Sequence, residues 1–444
     1  MINHLMRRQT IRLPPTDFDA LNAKLDAIAR QFGKAWLLAP GTNPLQLLWK
    51  RRDALATNEL LNFGDAIEAF ETTDATWVRQ QVQQIKNQDE HNRAGAVFEF
   101  LGLNLFKCSG NIVHPTSANN PGYDGVVDLP NDSSLVISIK NFGMSSHQQR
   151  FQRHARTLDS TIQQWLTHNA ASGTEFRVVC DEYLDDGDWH AVTRDVINIL
   201  DAQLTRTSTR LNTQGPWNII FRDLTGEYPL STRHISSVVF VCCKAHQNEQ
   251  DNFLEHVRAG CSNLVKHTAR LPESACRVLL VRLSLNASIV NCAEWARDYF
   301  LKLPNEQVGV VILYQAAVVK QDQNYVIAHY IKPILGPQFA TWSQPAGRFG
   351  RTLPNVGALV GVALPDAGRK ILLRDGQEIP LYDNYVYQRG DIFRYYYRAE
   401  DQALLVELSY PAPGIRIHAE IENETGSAVL QMISSEMGEL MLLP

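Results

Sequence analysis

The chain has 444 residues, of which 44% are hydrophobic and 20% charged, so it is long enough for about three domains and too apolar for an intrinsically disordered protein. No apolar run approaches the roughly 20 residues that cross a bilayer, and the N-terminal segment lacks the apolar core of a secretory signal. The seven cysteines have no regular spacing and do not resemble a disulfide framework. These features predict a cytoplasmic protein without a membrane partner.

The net charge of −5 is distributed unevenly along the chain. Residues 371–444 contain 12 acidic residues against 5 arginines and no lysine, a net charge of −7, whereas the remainder carries +2. An acidic surface repels phosphate groups. A nucleic-acid partner is therefore expected to contact the N-terminal or middle part of the chain and not the tail.

The hydrophobic pattern predicts helices first and then an α/β domain. Residues 1–90 are mostly polar with apolar residues at helical spacing, as in Phe18–Phe32, which indicates an N-terminal helical region. Residues 91–225 begin with an apolar helix, Ala94–Phe106, and continue with a predicted hairpin whose second strand is Leu135–Lys140. Further alternation of helices and strands completes an α/β domain in this segment.

Two more domains are predicted towards the C-terminus. Strand-like and helix-like runs alternate in residues 235–335, which is typical of a second α/β domain with a mainly parallel sheet. Residues 370–444 contain only short strand-like runs separated by turn residues and indicate a small, acidic, β-sandwich-like domain. The predicted fold class is therefore a multidomain α/β protein.

Three charged residues lie where a structural role alone does not account for them. Glu99 interrupts the apolar helix VFEFLGLNLF, Asp124 precedes the first hairpin strand, and Lys140 ends the otherwise apolar second strand. A carboxylate or an ammonium group is costly to bury alone. We therefore expect the three side chains to open into one cleft.

An acid on a helix, an acid on the next strand and a lysine on the following strand resemble the PD-(D/E)xK nuclease superfamily, which has the restriction-endonuclease-like fold. The resemblance covers about residues 90–220 and implies that Asp124 binds a divalent metal, Mg²⁺ or Mn²⁺. It implies that Lys140 orients or activates the attacking water and that Glu99 assists catalysis from the helix.

Ser138 is a departure from the pattern of that family. Two residues before the lysine the family usually has Asp or Glu, and a serine hydroxyl is a poor ligand for a hard cation. Glu99 supplies the missing charge in one interpretation, and Asp128, which alternates onto the same strand face as Asp124, supplies it in another. In a third interpretation metal binding and catalysis have been lost.

The helix after the hairpin carries a row of basic residues. Arg150, Arg153 and Arg156 recur every three residues and form a stripe along the helix. Such a stripe neutralises nucleic-acid phosphates, although a solvated helix face is an equally reasonable interpretation. Nucleases of this superfamily often carry a Gln or a basic residue on this helix, and the resemblance points to Gln148.

The sequence thus predicts a metal-dependent endonuclease that cleaves phosphodiester bonds, most simply in DNA. The alternative is a catalytically inactive nuclease fold that acts as a binding or assembly protein, alone or with a protein partner or a second copy of itself. An enzyme with a site in residues 235–335 is a further alternative, but no phosphate-binding glycine pattern follows the strands there.

Overall fold

The computed structural model describes residues 18–343, apart from short gaps, together with strand segments between residues 370 and 433. The gaps are at 42, 51–53, 88–89, 109–110, 117–121, 130–131, 170–173, 203–207, 213–214, 224–237, 273, 284–286 and 322–323. In the tail the described segments are 370–372, 378–380, 384–389, 394–399, 402–407, 416–423 and 426–433.

Helices and strands are both present throughout the described chain. The helices are α1 (Phe18–Phe32), α2 (Lys34–Leu38), α3 (Pro44–Lys50), α4 (Ala54–Glu71), α5 (Ala75–Lys86), α6 (Glu90–Cys108), α7 (Ser146–His168), α8 (Asp186–Ala202), α9 (Glu249–His267), α10 (Ile289–Lys302) and α11 (Pro337–Ser343). The strands up to residue 335 are β1 (Ile112–Pro115), β2 (Gly125–Leu129), β3 (Ser133–Phe142), β4 (Thr174–Cys180), β5 (Ser208–Asn212), β6 (Trp217–Asp223), β7 (Val238–Lys244), β8 (Ala275–Leu283), β9 (Val310–Gln321) and β10 (Asn324–Leu335). The tail contributes β11 (Lys370–Leu372), β12 (Glu378–Pro380), β13 (Asn384–Arg389), β14 (Arg394–Ala399), β15 (Gln402–Glu407), β16 (Arg416–Asn423) and β17 (Gly426–Ile433).

The chain forms two compact units, and each is built from separate stretches of sequence. The first unit comprises residues 1–143, 250–364 and 438–444, and the second comprises residues 144–249 and 365–437. The predicted segments 1–90, 91–225, 235–335 and 370–444 do not coincide with these units.

A mixed sheet forms the centre of the first unit. Its strands lie in the order β1-β2-β3-β8-β9, with β10 antiparallel to β9. β3, β8 and β9 are parallel to one another, whereas β1, β2 and β3 form an antiparallel meander. The hairpin predicted from the sequence is therefore confirmed, with Val126 opposite Val136. The parallel strands beside it come from the segment that was predicted to be a separate domain.

Both faces of this sheet are buried. Leu135, Ile137 and Ile139 of β3 pack in one core with residues of α4, α5 and α6. Val136 packs in the opposite core with residues of α9 and α10. Strand alternation explains this division, because successive side chains point to opposite faces.

Gly64 allows α4 to approach α1 closely, and this contact supplies a stability prediction. A Cβ atom at Gly64 would lie 2.3 Å from the Lys24 carbonyl oxygen, whereas a Cβ atom at Gly95 of α6 would meet nothing within 4 Å. Gly64→Ala is expected to destabilise the protein by about 2 kcal/mol or more, because the clash is with backbone. Gly95→Ala, the matched control, is expected to stabilise by about 0.5–1 kcal/mol. Urea denaturation checks both, and equal effects of the two substitutions would contradict the predicted contact.

The second unit contains another mixed sheet, with the strand order β13-β7-β4-β6-β5. β4 and β7 are parallel, and their inner faces pack with α7 and α8. β13 comes from the tail and pairs antiparallel with β7. Tyr387 of β13 is buried in the same core, and its hydroxyl donates to Asp159 of α7 at 2.7 Å.

The tail contributes a strand to the second unit, whereas the sequence predicted a separate C-terminal domain. Its strand β13 completes the second sheet, and the described strands β11, β12, β14 and β15 form a further antiparallel sheet. The reason is the pair of tyrosines, Tyr385 and Tyr387, which lose their exposed surface only when β13 joins the core of residues 144–249. The mixed α/β class is confirmed. Among the described residues, no helix has the length and apolar composition to cross a membrane.

Candidate active site

Helix α6 lies close against β2 and β3, and this contact directs Glu99 towards the hairpin. A Cβ atom at Gly102 would lie 3.0 Å from Leu280 and 3.1 Å from Ile139, and one at Gly125 would lie 2.6 Å from Leu103. At both positions a larger residue would require a neighbouring side chain to shift, and glycine avoids this. Glu99 is three residues before Gly102 and shares its face of the helix.

Asp124 is held at the point where β2 begins. Its backbone N–H donates to the Ile137 carbonyl at 2.7 Å, and its own carbonyl accepts from the Thr116 N–H at 3.0 Å. One carboxylate oxygen accepts from the Ile139 N–H at 2.5 Å. If β2 continued, a backbone carbonyl would accept this hydrogen bond from β3, and the carboxylate oxygen of Asp124 accepts it instead. The carboxylate therefore lies at the edge of the β3 backbone.

The electrostatics place Glu99, Asp124 and Lys140 in one cluster. Burial and, to a smaller extent, the negative charge of Asp124 raise the pKa of Glu99 to about 8, against the opposing effects of Gln81 and Lys140. Burial also raises the pKa of Asp124, against the Ile139 N–H, the Lys140 charge and the Ser138 hydroxyl. The three residues singled out from the sequence are thus within electrostatic reach of one another.

Two polar residues complete the surroundings of the cluster. Ser138 is 0% exposed, and its Oγ forms no hydrogen bond of standard geometry in the described part of the chain. Gln81 of α5 donates from Nε2 to Glu99 at 2.5 Å. The sequence reasoning missed Gln81. The available signal was its place in the apolar stripe of α5, between Val78 and Val82.

Asp128 does not join the cluster. It lies four residues along the chain from Asp124, about 13 Å at the rise of an extended strand. Its carboxylate is 51% exposed and contacts His114 Nε2 at 2.9 Å. The interpretation in which Asp128 replaces the missing acid is therefore not supported, and Glu99 is left as the second carboxylate near Asp124.

The residues proposed to bind nucleic acid belong to the second unit. Arg153 and Arg156 are exposed on α7, and Arg150 lies 4.0 Å from Asp186, which also contacts His154 at 2.8 Å. The stripe is thus partly neutralised by an acid of α8. Gln148 is 6% exposed and lies among the buried residues of α7, and its contact with a nucleic acid stays a prediction.

The cluster in the first unit has the donor chemistry of a magnesium site. Among the described residues, no group of three or more His, Cys, Asp and Glu side chains is arranged to hold a metal ion. Protein-bound Mg²⁺, however, usually has one or two carboxylates and completes its shell with water and substrate phosphate. Glu99 and Asp124 supply two carboxylates, and Gln81 Oε1, in the amide group that contacts Glu99, is buried without a hydrogen-bond partner in the described structure. The residues present therefore fit a hard divalent cation.

Comparison with known proteins adds no relative to this description. No protein-family model, no curated protein and no solved structure matches the chain.

Proposed function

We propose that this protein is a metal-dependent nuclease that hydrolyses phosphodiester bonds, with DNA as the substrate. The observation that carries the proposal is the electrostatic contact among Glu99 of α6, Asp124 at the start of β2 and Lys140 near the end of β3. The negative charge of Asp124 raises the pKa of Glu99, so this pair of carboxylates favours either a shared proton or a bound cation. A divalent metal satisfies both acids at once.

The residues of the chain have distinct roles in this proposal. Asp124 and Glu99 hold the metal, and the Ile139 N–H fixes the orientation of the Asp124 carboxylate. When bound, Mg²⁺ or Mn²⁺ polarises the phosphate and lowers the pKa of bound water. Lys140 places a positive charge beside the two acids, where it offsets negative charge that develops on the phosphate and orients the water.

Metal binding and cleavage are the direct tests of the proposal. Calorimetry with Mn²⁺ and Mg²⁺ is expected to give one site per chain, and nicking and linear-cleavage assays are expected to show metal-dependent cleavage. Single-stranded DNA, double-stranded DNA and RNA distinguish the substrates. A chain that binds neither metal and cleaves none of these substrates would refute the proposal.

Ser138 favours a second candidate, a nuclease fold that has lost its chemistry and acts as a binding or assembly protein. The residue occupies the position of the usual second acid and is fully buried. A hydroxyl supplies no charge to a cation. In this candidate Glu99 and Asp124 share a proton, and no metal is bound.

The substitution Ser138→Glu separates the two candidates. In an active site it adds a third buried acid, which is expected to destabilise the metal-free protein by roughly 2–4 kcal/mol. Mn²⁺ is expected to restore part of that loss, measured as a shift of the urea midpoint. If only the variant binds Mn²⁺ and the wild type does not, the scaffold candidate is correct. Ser134→Glu, at a less buried position of β3, is the control for the added charge.

A further inference from the structure

Gln81 is a polar residue at a core position of α5. Asp74 begins this helix by accepting from the Trp77 N–H at 2.8 Å. The buried residues of the helix are Trp77, Val78, Gln81, Val82 and Ile85. Their spacing forms a single stripe that faces the core. The packing of the apolar members therefore fixes the position of the Gln81 amide.

The contact of Gln81 with Glu99 explains why an amide is tolerated in this stripe. Gln81 is 1% exposed, and its Nε2 donates to Glu99 Oε2 at 2.5 Å. Glutamine is mostly an exposed residue, and burying an unbonded amide costs roughly 1–3 kcal/mol in proteins. An apolar side chain would pack here without that cost. The amide is therefore explained by its acidic partner and not by the core.

The oxygen of the Gln81 amide supplies a second observation. Gln81 Oε1 is buried and has no hydrogen-bond partner in the part of the chain that the structure describes. A buried acceptor in this state marks a position that an ion or a water can fill. Oε1 shares a carbon atom with the Nε2 group that contacts Glu99, so that position lies beside Glu99.

We propose that Gln81 is a positioning residue of the metal site, whose amide holds the Glu99 carboxylate turned towards Asp124 so that both acids meet one cation. The inference rests on the proposed function and extends the site to α5. This helix lies outside the segment that resembles nucleases. The N-terminal helices then complete the site, whereas the sequence indicated only a separate helical region.

The physical basis is the freedom of a glutamate side chain. A free glutamate occupies many rotamers, and fixing it costs up to about 2 kcal/mol. A hydrogen bond from a buried donor removes that freedom before the metal arrives. Partners that orient metal ligands in this way typically change metal affinity by 10–100-fold when they are replaced.

The test uses the full chain and two substitutions that separate packing from positioning. Gln81→Met keeps the length and volume of the side chain but removes the donor. Gln81→His packs less well but keeps an N–H at a similar distance from the backbone. Gln83→Met, on the exposed side of the same helix, is the matched control. Calorimetry measures the Mn²⁺ affinity, and urea denaturation without metal measures the packing.

A positioning role predicts opposite rankings in the two measurements. Gln81→Met is expected to weaken Mn²⁺ binding at least about 10-fold and to be the more stable variant. Gln81→His is expected to stay within about 3-fold of the wild-type affinity and to be the less stable one. Gln83→Met is expected to match the wild type in both. If Gln81→Met does not fold, Gln81→Leu takes its place in the comparison.

Two other results would overturn the inference, and they differ from failure of the proposed function. Wild-type Mn²⁺ affinity in Gln81→Met shows that Glu99 needs no positioning. Equal weakening in the Met and His variants shows that Gln81 acts through packing. In both cases the wild type binds Mn²⁺ and the metal site stands. A wild type that binds no Mn²⁺ refutes the proposed function itself, and the positioning role with it.

Discussion

Replacing Lys140 by alanine is expected to lower metal-dependent cleavage at least about 100-fold while metal binding is retained. The lysine is close enough to Glu99 and Asp124 to lower the pKa of both, yet it carries no ligand atom that a cation accepts in its protonated form. Its removal also removes repulsion of the metal. The Mn²⁺ affinity is therefore expected to stay equal to that of the wild type or to increase.

Asp124→Asn is expected to show the complementary pattern. The amide keeps the shape of the side chain but removes a charged ligand, so both Mn²⁺ affinity and cleavage are expected to fall by at least about 100-fold. Calorimetry together with cleavage of supercoiled and linear DNA measures the two effects separately. This split between Lys140 and Asp124 is specific to a site in which one residue binds the metal and the other acts on the phosphate.

Two matched controls are available in the same unit. Lys302→Ala removes an exposed lysine at the end of α10, and Asp128→Asn removes the acid that contacts His114. Neither is expected to change cleavage or Mn²⁺ affinity by more than about 2-fold, since exposed charges contribute little. Loss of activity in Asp128→Asn would show that the second acid had been assigned to the wrong residue.

Local features of the fold could be predicted from the sequence, whereas the grouping of strands could not. The β2–β3 hairpin follows from two short apolar runs and a polar turn, which are neighbours in the chain. β3 pairs with β8, and β4 pairs with β7, across long stretches of sequence. Alternation of helices and strands indicates parallel strands but does not say which of several strands are neighbours. The predicted boundaries therefore cut both sheets.

The candidate site shows the same division between local and distant information. Glu99, Asp124 and Lys140 were recognisable because each places a charge in an apolar element, which requires a reason. Gln81 carries no charge and lies in a helix rich in glutamine, so only its helical spacing with Val78 and Val82 separates it from the exposed Gln83. The contact with Glu99 depends on the packing of α5 against α6, which the spacing does not predict.

The position of Asp128 illustrates a limit of strand alternation. Asp124 and Asp128 have the same parity, which predicts one strand face. Asp124 precedes β2, and its carboxylate accepts a hydrogen bond from the β3 backbone. Asp128, within the strand, is exposed and contacts β1 through His114. The alternation of side chains predicts the sheet face of a residue within a strand. It does not predict the direction of a side chain beyond the end of the strand.

Glu99→Gln is expected to change how stability depends on pH. The pKa of Glu99 is raised from 4.5 to about 8, so the folded protein holds a proton that the unfolded chain releases between these values. The free energy of unfolding of the metal-free wild type is therefore expected to decrease as pH rises through this window, by at most about 1.4 kcal/mol per unit from this group. Glutamine does not titrate, so the variant lacks this contribution.

The difference between the two proteins isolates Glu99 from the other titrating groups. Urea denaturation between about pH 5 and pH 9 measures the free energy of unfolding of both proteins. As pH rises, Glu99→Gln is expected to become more stable than the wild type, by roughly 2 kcal/mol or more at the alkaline end. Glu255→Gln, at an exposed position of α9, is the control, and its difference in stability from the wild type is expected to stay constant with pH. If the difference for Glu99→Gln also stays constant with pH, Glu99 is ionised at neutral pH without a metal.

Bound metal is expected to reverse this pH dependence of stability, which connects the fold to its proposed chemistry. A cation between Glu99 and Asp124 replaces the proton, so Mn²⁺ is expected to stabilise the wild type increasingly as pH rises and to remove its decline near pH 8. Glu99→Gln is expected to lose most of this stabilisation. A protein that is destabilised by its own acids at neutral pH, and stabilised by Mn²⁺ only when both acids are present, has a site arranged to hold a metal.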